Sequence, residues 1–181
     1  MQITSLKNHM LIALPALQDP CFQSSVVYII EHDAQGATGF IINKSTDIFL
    51  EELLERLDLP SIAEHASGKP VMLGGPVRPD QLFVVFSEKN TAEEGMLSLP
   101  HSRAFMENRL QETELDEVFL FLGYAGWSAG QLEQELLGNH WLVIPANHDI
   151  LYNVPIERRH RAAAALLGVT MAHVSTGVGH A

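Results

Sequence analysis

Ser128 lies within Gly126-Trp127-Ser128-Ala129-Gly130, a G-x-S-x-G arrangement. In a hydrolase that pattern puts a serine on a tight strand-to-helix turn, where its hydroxyl can attack an acyl carbon. Such chemistry also requires a histidine base, an acid to orient it and N–H donors for the oxyanion. Asp149 and then His160, His173 or His180 follow in the chain order a hydrolase uses, and Gly74-Gly75 offers donors. A second reading needs no nucleophile. Ser128 with Gln131 three residues on makes a capping box, the serine being N-cap of the following helix. In a third, the glycines and the free N–H groups of that helix cradle a phosphate. Against it, Glu133 and Glu135 already complement the helix dipole, and no lysine or arginine lies nearby in sequence.

Other residues bear on a ligand site. Tyr124 and Trp127 flank the glycines and would either face a ligand or pack over the strand end. Gly74-Gly75-Pro76 ends an apolar strand, where glycines mark a bulge or tight turn; with no G-K-S/T downstream it is not a P-loop. Asn43 ends a strand before a helix and would hydrogen-bond either a ligand or the loop backbone. The candidate ligand-binding residues are therefore Asn43, Gly74, Gly75, Tyr124, Trp127 and Gln131, and none is assigned a catalytic role. Nine histidines invite a metal, but His140 and His148 are eight apart and no H-E-x-x-H or paired-cysteine spacing occurs. Glu31, His32 and Asp33 would alternate faces on a strand and cannot converge. No metal and no cofactor is expected. Cys21, the only cysteine, excludes an internal disulfide and has no basic neighbour in sequence to activate it.

The elements that must hold these residues follow from periodicity. Residues 10–17 suit a first strand better than a signal peptide, because Pro15 breaks a short apolar run. Residues 26–32 and 38–43 are β-branched and aromatic runs joined by a five-residue hairpin loop over 33–37. Leu50, Leu53, Leu54 and Leu57 repeat at helical spacing, with Ser45, Thr46 and Asp47 as caps and Pro60 as stop. Residues 71–73 and 82–86 read as a strand pair with Arg78-Pro79-Asp80 as turn between them, and 90–100 as loop. A helix over 102–111, a strand over 117–122, a glycine-rich turn, a helix from Ser128 and a strand over 140–144 come next. Pro155 opens and Gly168 closes a last helix over 156–167. Early hairpins followed by helix-separated strands define an α+β fold: one domain over 1–181, with a mixed, largely antiparallel, barrel-like sheet and flanking helices.

Composition narrows the partners. Twenty-two acidic against eleven basic residues give a net charge of −11, which repels nucleic acid and anionic membrane. Arg158-Arg159-His160-Arg161 is the one dense basic run, and four such residues in a helical turn read as a solvated face. No segment approaches the roughly 18 apolar residues of a membrane span, so no membrane partner is expected.

Several blocks taken together resemble the AlgH/YqgE family. They are Leu11-Ile12-Ala13-Leu14-Pro15-Ala16-Leu17-Gln18-Asp19-Pro20, Ser25-Val26-Val27-Tyr28, Glu31-His32, Gly36-Ala37, Gly39, Ile42-Asn43-Lys44 and Met72-Leu73-Gly74-Gly75-Pro76-Val77. The run from Leu122 to Leu136, Trp141-Leu142, Pro145-Ala146 and Gly179-His180-Ala181 complete the match, which spans nearly the whole chain. The resemblance implies a cytosolic bacterial protein with a mixed sheet and flanking helices, linked to transcriptional control of exopolysaccharide synthesis. Proteins of that family also carry glycine or glutamate where Ser128 stands, so the serine is no part of its pattern. The sequence thus points to a non-catalytic binding or regulatory protein in the cytoplasm, acting through a protein or small-molecule partner rather than by direct nucleic-acid contact. The alternative is a small-molecule enzyme, a hydrolase or one handling a phosphoryl or acyl ligand, built on the Ser128 turn.

Overall fold

The computed structural model describes residues 5–48, 50, 53, 68–88, 95–100, 102–112 and 118–168. Within them lie strands β1 (His9–Ala13), β2 (Val26–Asp33), β3 (Gly36–Ile41), β4 (Val71–Leu73), β5 (Val77–Ser87), β6 (Leu97–Ser98), β7 (Val118–Ser128) and β8 (Trp141–Pro145). The helices are α1 (Arg103–Glu112), α2 (Gln131–Leu137), α3 (His148–Tyr152) and α4 (Arg159–Leu166), the last entered through a 3-10 turn at Ile156–Arg158. Leu50 and Leu53 are helical and buried as the leucine spacing requires; Leu54, Leu57 and Pro60 lie outside the described residues.

The sheet runs β6-β5-β7-β3-β2-β1-β8, with β4 as an additional partner of β7. Every pairing is antiparallel except β4 with β7, so the α+β class with a mixed, largely antiparallel sheet holds, and the sheet curls into a half-barrel. Alternation along the strands divides the apolar residues between its two faces. Met10, Ile12, Val26, Tyr28, Phe40, Phe119 and Phe121 point into one core, closed by Ile150 and Leu151 of α3 and Ala163 of α4. Their neighbours Leu11, Ala13, Val27, Ile29 and Ile41 point the other way, to a core shared with Ala125, Trp127 and Leu132 of α2. A third cluster, Val118, Leu120 and Leu122 with Val84 and Phe86, is covered by Leu50 and Leu53. The fully buried Tyr28 hydroxyl donates to Asn8 Oδ1 at 2.9 Å and accepts from Leu97 N–H at 3.0 Å. It thereby avoids the roughly 1–3 kcal/mol that an unpaired buried polar group costs.

Three expectations change. Residues 71–73 and 82–86 are not paired with each other; β4 and β5 flank β7, parallel on one side and antiparallel on the other. Arg78-Pro79-Asp80 is not a turn between strands but part of β5, within the register shift between Val77 and Leu82. Proline removes a ladder donor and Arg78 sits at φ +49°, so this stretch bulges instead of reversing. Between β2 and β3 the ladder extends to Asp33 opposite Gly36, which shortens the predicted five-residue loop to two residues, Ala34 and Gln35.

The largest change concerns the glycine-rich segment, which is strand and not turn. β7 continues through it to Ser128, pairing Ala125 to Ser128 with Gly39 to Gly36 of β3. Its neighbour on that edge changes from β4 to β3 where the chain passes Gly74 and Gly75. Gly74 N–H donates to Leu122 O at 2.8 Å, and Gly74 O accepts from Ile41 N–H at 2.8 Å. The crossing is backbone on backbone. A Cβ on Gly75 (φ +157°) would lie 2.2 Å from the Tyr124 carbonyl carbon, and one on Gly123 (φ +66°) 2.4 Å from Gly75 O. Gly75→Ala and Gly123→Ala should each cost about 3 kcal/mol or more, combining a disfavoured φ with overpacking. Gly130→Ala, at φ +77° with open space around it, should cost only about 1–2 kcal/mol. Urea unfolding of the three variants measures this; equal losses at all three would refute the crossing as the constraint.

Candidate functional site

Ser128 ends β7 and is exposed. Its N–H and its hydroxyl both donate to Gln131 Oε1, at 3.1 and 3.2 Å. Pairing with Gly36 keeps Ser128 in the ladder, so the chain breaks two residues later and Gly130, at φ 77°, becomes the N-cap of α2. Only the returning half of the predicted capping box forms; the serine does not cap the helix. The hydrolase partners are placed elsewhere. Asp149 Oδ1 accepts from Asn153 Nδ2 at 2.8 Å, and His160 Nε2 lies 3.1 Å from Ala13 O. His173 and His180 lie outside the described residues. Among the described residues no hydrogen bond joins Ser128 to a histidine, and no three metal-ligating side chains converge.

The acids of α2 are bound in place. Glu133 Oε1 lies 2.9 Å from Nε2 of the buried His32, while His32 Nδ1 accepts from Leu6 N–H at 2.9 Å. A ring that accepts at Nδ1 carries its proton on Nε2, so here a neutral imidazole donates to a carboxylate. Glu135 is more heavily used. Its Oε2 accepts from both buried indoles, Trp127 Nε1 at 2.9 Å and Trp141 Nε1 at 2.7 Å, and its Oε1 accepts from Gln131 Nε2 at 3.0 Å. The two indoles meet edge to face at 6.1 Å, and Phe22 closes against Trp141 at 5.7 Å. A carboxylate satisfies two indole N–H groups at once because it accepts at several lone pairs.

The six predicted ligand residues thus fall at three places. Trp127 and Gln131 converge on Glu135. Gly74, Gly75 and Tyr124 meet at the strand crossing, where the half-buried Tyr124 ring stands edge-on to Phe83 at 5.5 Å. Asn43 works at the start of β2: its Oδ1 accepts from Val26 N–H at 2.7 Å and its Nδ2 donates to Ser24 O at 2.8 Å. Tyr124 and Gln131 keep surface open to solvent. Cys21, without a basic neighbour in sequence, has one in space: burial pushes its thiol pKa up, and Lys44 pulls it partly back.

A cavity of about 320 Å³ lies elsewhere, where the ends of β4 and β7 face α3 and α4. Met72, Phe119 and Ile156 supply apolar wall, the Tyr152 ring adds an aromatic one, and Lys69 and Arg159 supply charge. Arg159 corrects the reading of its basic run as a solvated face: Arg158 and Arg161 are exposed, but Arg159 is only 7% exposed. It shares a helical stripe with the buried Ala163, four residues on, and that phase was the available signal. Nε donates to Val154 O at 3.1 Å, Nη1 to Ile42 O at 2.6 Å and Nη2 to Leu151 O at 2.8 Å. Leu151 O lies in the last turn of α3 and Val154 O two residues past its end, so Nη2 and Nε satisfy carbonyls at the helix terminus that have no intrahelical donor. Burial lowers the guanidinium pKa, and Glu157 nearby partly restores it. The Tyr152 hydroxyl donates to Ser87 Oγ at 2.6 Å; burial raises its pKa, and the Ser87 contact partly offsets that.

The curled α+β sheet with these features places the chain among known proteins. The chain belongs to the AlgH-like family, whose model matches residues 10–172. It is 43% identical to a UPF0301 protein of Thioalkalivibrio sulfidiphilus, over 98% of each chain. A UPF0301 protein of Shewanella oneidensis is also 43% identical, over 98% of this chain and 99% of its own. The solution structure of the AlgH protein from Pseudomonas aeruginosa covers 100% of this chain and 98% of its own, at 37% identity and a TM-score of 0.69. A crystal structure of protein DIP2367 from Corynebacterium diphtheriae covers 94% of this chain and 91% of its own, with a TM-score of 0.74 at 21% identity, and shares the fold. The function of the family is uncharacterised.

Glu135→Ala should destabilise the protein by about 2–4 kcal/mol, because it strands two buried indole donors. Glu135→Gln retains an accepting oxygen and should cost less than half as much. Denaturant unfolding followed by tryptophan fluorescence reads both. Equal effects of the two variants would show that the carboxylate is not the shared acceptor.

Proposed function

We propose that this is a non-catalytic binding or regulatory protein of the cytosol, acting through a small-molecule or protein partner. The observation that carries the reading is the cavity beside Arg159, which sets a buried guanidinium and a lysine against an apolar wall. Small-molecule sites have that composition, mostly apolar with a few placed polar groups. The Ser128 segment supports the non-catalytic part, since the hydroxyl is bonded to Gln131 and the residue is held in a strand ladder. The net charge of −11 favours a partner other than nucleic acid. A single cysteine suits a reducing compartment, and among the described residues no helix is long and apolar enough to cross a membrane.

Two measurements test this. Ser128→Ala and the wild type should show the same turnover of activated esters; saturable turnover that falls tenfold or more in the variant would overturn the reading. A thermal-shift panel of nucleotides, flavins, sugar phosphates, acyl-CoAs and divalent metals should yield a saturable hit if the partner is a small molecule. At 100 times its dissociation constant a ligand adds about 2.7 kcal/mol, which for a chain of this length raises Tm by roughly 5–10 °C.

A further inference from the structure

We propose that the cavity between β4, β7 and the α3–α4 corner is a binding site for a small organic anion, an oxyanion head on a flat apolar body. The proposal rests on the binding-protein reading and names the ligand class. The first ground is charge. In a chain of net charge −11, the described lining of this cavity holds Lys69 and Arg159 and no aspartate or glutamate. The second is the state of Arg159. Its hydrogen-bond partners are the three backbone carbonyls and the Met72 sulfur, 3.8 Å from Nη1, and no ion pair joins it to a carboxylate among the described residues.

A guanidinium has five N–H donors, so among the described residues these four bonds leave one Nη2 hydrogen without an acceptor. Carbonyl dipoles cap the donors and Glu157 acts on the guanidinium only through space, so a buried cation with no ion-pair partner among the described residues keeps part of its desolvation cost. An anionic guest offsets that cost and takes the spare donor. The Lys69 ammonium, which donates to Val118 O at 3.1 Å, stands on the same wall and adds attraction.

The third ground is shape. A volume of about 320 Å³ sits at the small end of the usual range for ligand pockets, roughly 300–1,000 Å³. That suits one ring or a short chain with a single acidic group better than a dinucleotide. Met72, Phe119 and Ile156 receive the apolar body; the Tyr152 ring also lines the cavity, stacked on His148 at 4.4 Å, with its hydroxyl engaged with Ser87 and the Gly95 carbonyl.

Phenyl phosphate and benzoate are the probes, with benzyl alcohol as the neutral control. Methyl NMR of Met72 and Ile156 in the full chain reads the site directly. At least one anion should shift both methyls saturably, with a dissociation constant of about 1 mM or tighter. Benzyl alcohol should bind at least tenfold more weakly, and added salt should weaken the anion. Whichever anion binds more tightly identifies the head as phosphate or carboxylate. Arg159 is too deeply built into the fold to be the variant of choice. Lys69→Gln, which can still donate to Val118 O, should weaken the anion fivefold or more and leave benzyl alcohol unchanged. Ile156→Trp should fill the cavity and abolish all binding. Neutral and anionic probes binding within twofold of each other, no methyl shift at about 10 mM of either anion, or shifts confined to other residues would overturn the proposal. A saturable hit by another ligand class in the thermal-shift panel would then leave the broader binding reading standing.

Discussion

Strand β7 changes partners halfway along, and the rest of the structure depends on how the backbone accomplishes this. From Leu120 to Leu122 it is held between β4 and β5; from Ala125 to Ser128 its partner is β3. A buried strand cannot leave its N–H and C=O groups unpaired during such a handover. Gly74 solves the problem by bonding to both sides, giving its N–H to Leu122 and its carbonyl to Ile41. The close approach of Gly75 to Tyr124, and of Gly123 to Gly75, leaves no room for side chains. Once the handover is made, one strand contributes to all three cores: Phe119 and Phe121 to the first, Leu120 and Leu122 to the second, Ala125 and Trp127 to the third.

Two charged groups then pin helices to opposite faces of this sheet. Glu135 of α2 gathers the indoles of β7 and β8 on the face carrying Leu11, Val27 and Ile41. Arg159 of α4 gathers carbonyls from the end of α3 and from Ile42 on the other. Their electrostatic positions differ. Glu135 is half-buried, with water available to complete its solvation, whereas Arg159 is buried beside a cavity. A half-solvated carboxylate with three donors is well satisfied, whereas the buried guanidinium is held by backbone carbonyls and no ion pair among the described residues.

Apolar periodicity was read easily because each strand has to serve two faces. The runs at 26–32 and 38–43, the leucines at 50 and 53, and the α+β class all follow from that requirement. Partner choice was not legible. Nothing local distinguishes β4 pairing with β5 from both pairing with β7, since either arrangement buries the same residues. Gly74 and Gly75 were visible as a place where the backbone needs room, but their partner across the crossing lies nearly fifty residues away at Gly123. Arg159 was hidden by its company. Among Arg158, His160 and Arg161 a charge reads as solvent-facing, and only its helical phase relative to Ala163 marks it as inward.

The same contrast between local type and tertiary setting explains why G-x-S-x-G here does not make a nucleophile. An elbow works by forcing its serine out of the strand into a strained turn, so that the hydroxyl stands clear at a helix start. In this chain the ladder with β3 captures Ser128 through its pairing with Gly36, and the left-handed residue that turns the chain is Gly130, two positions later. The hydroxyl is thereby turned to Gln131, on the same surface where Glu133 already occupies the first turn of α2. A negative charge at that helix start opposes a second anion there, as it would oppose an oxyanion. The surface around Ser128 is thus acidic, whereas the described lining of the cavity on the other side of the sheet carries Arg159 and Lys69.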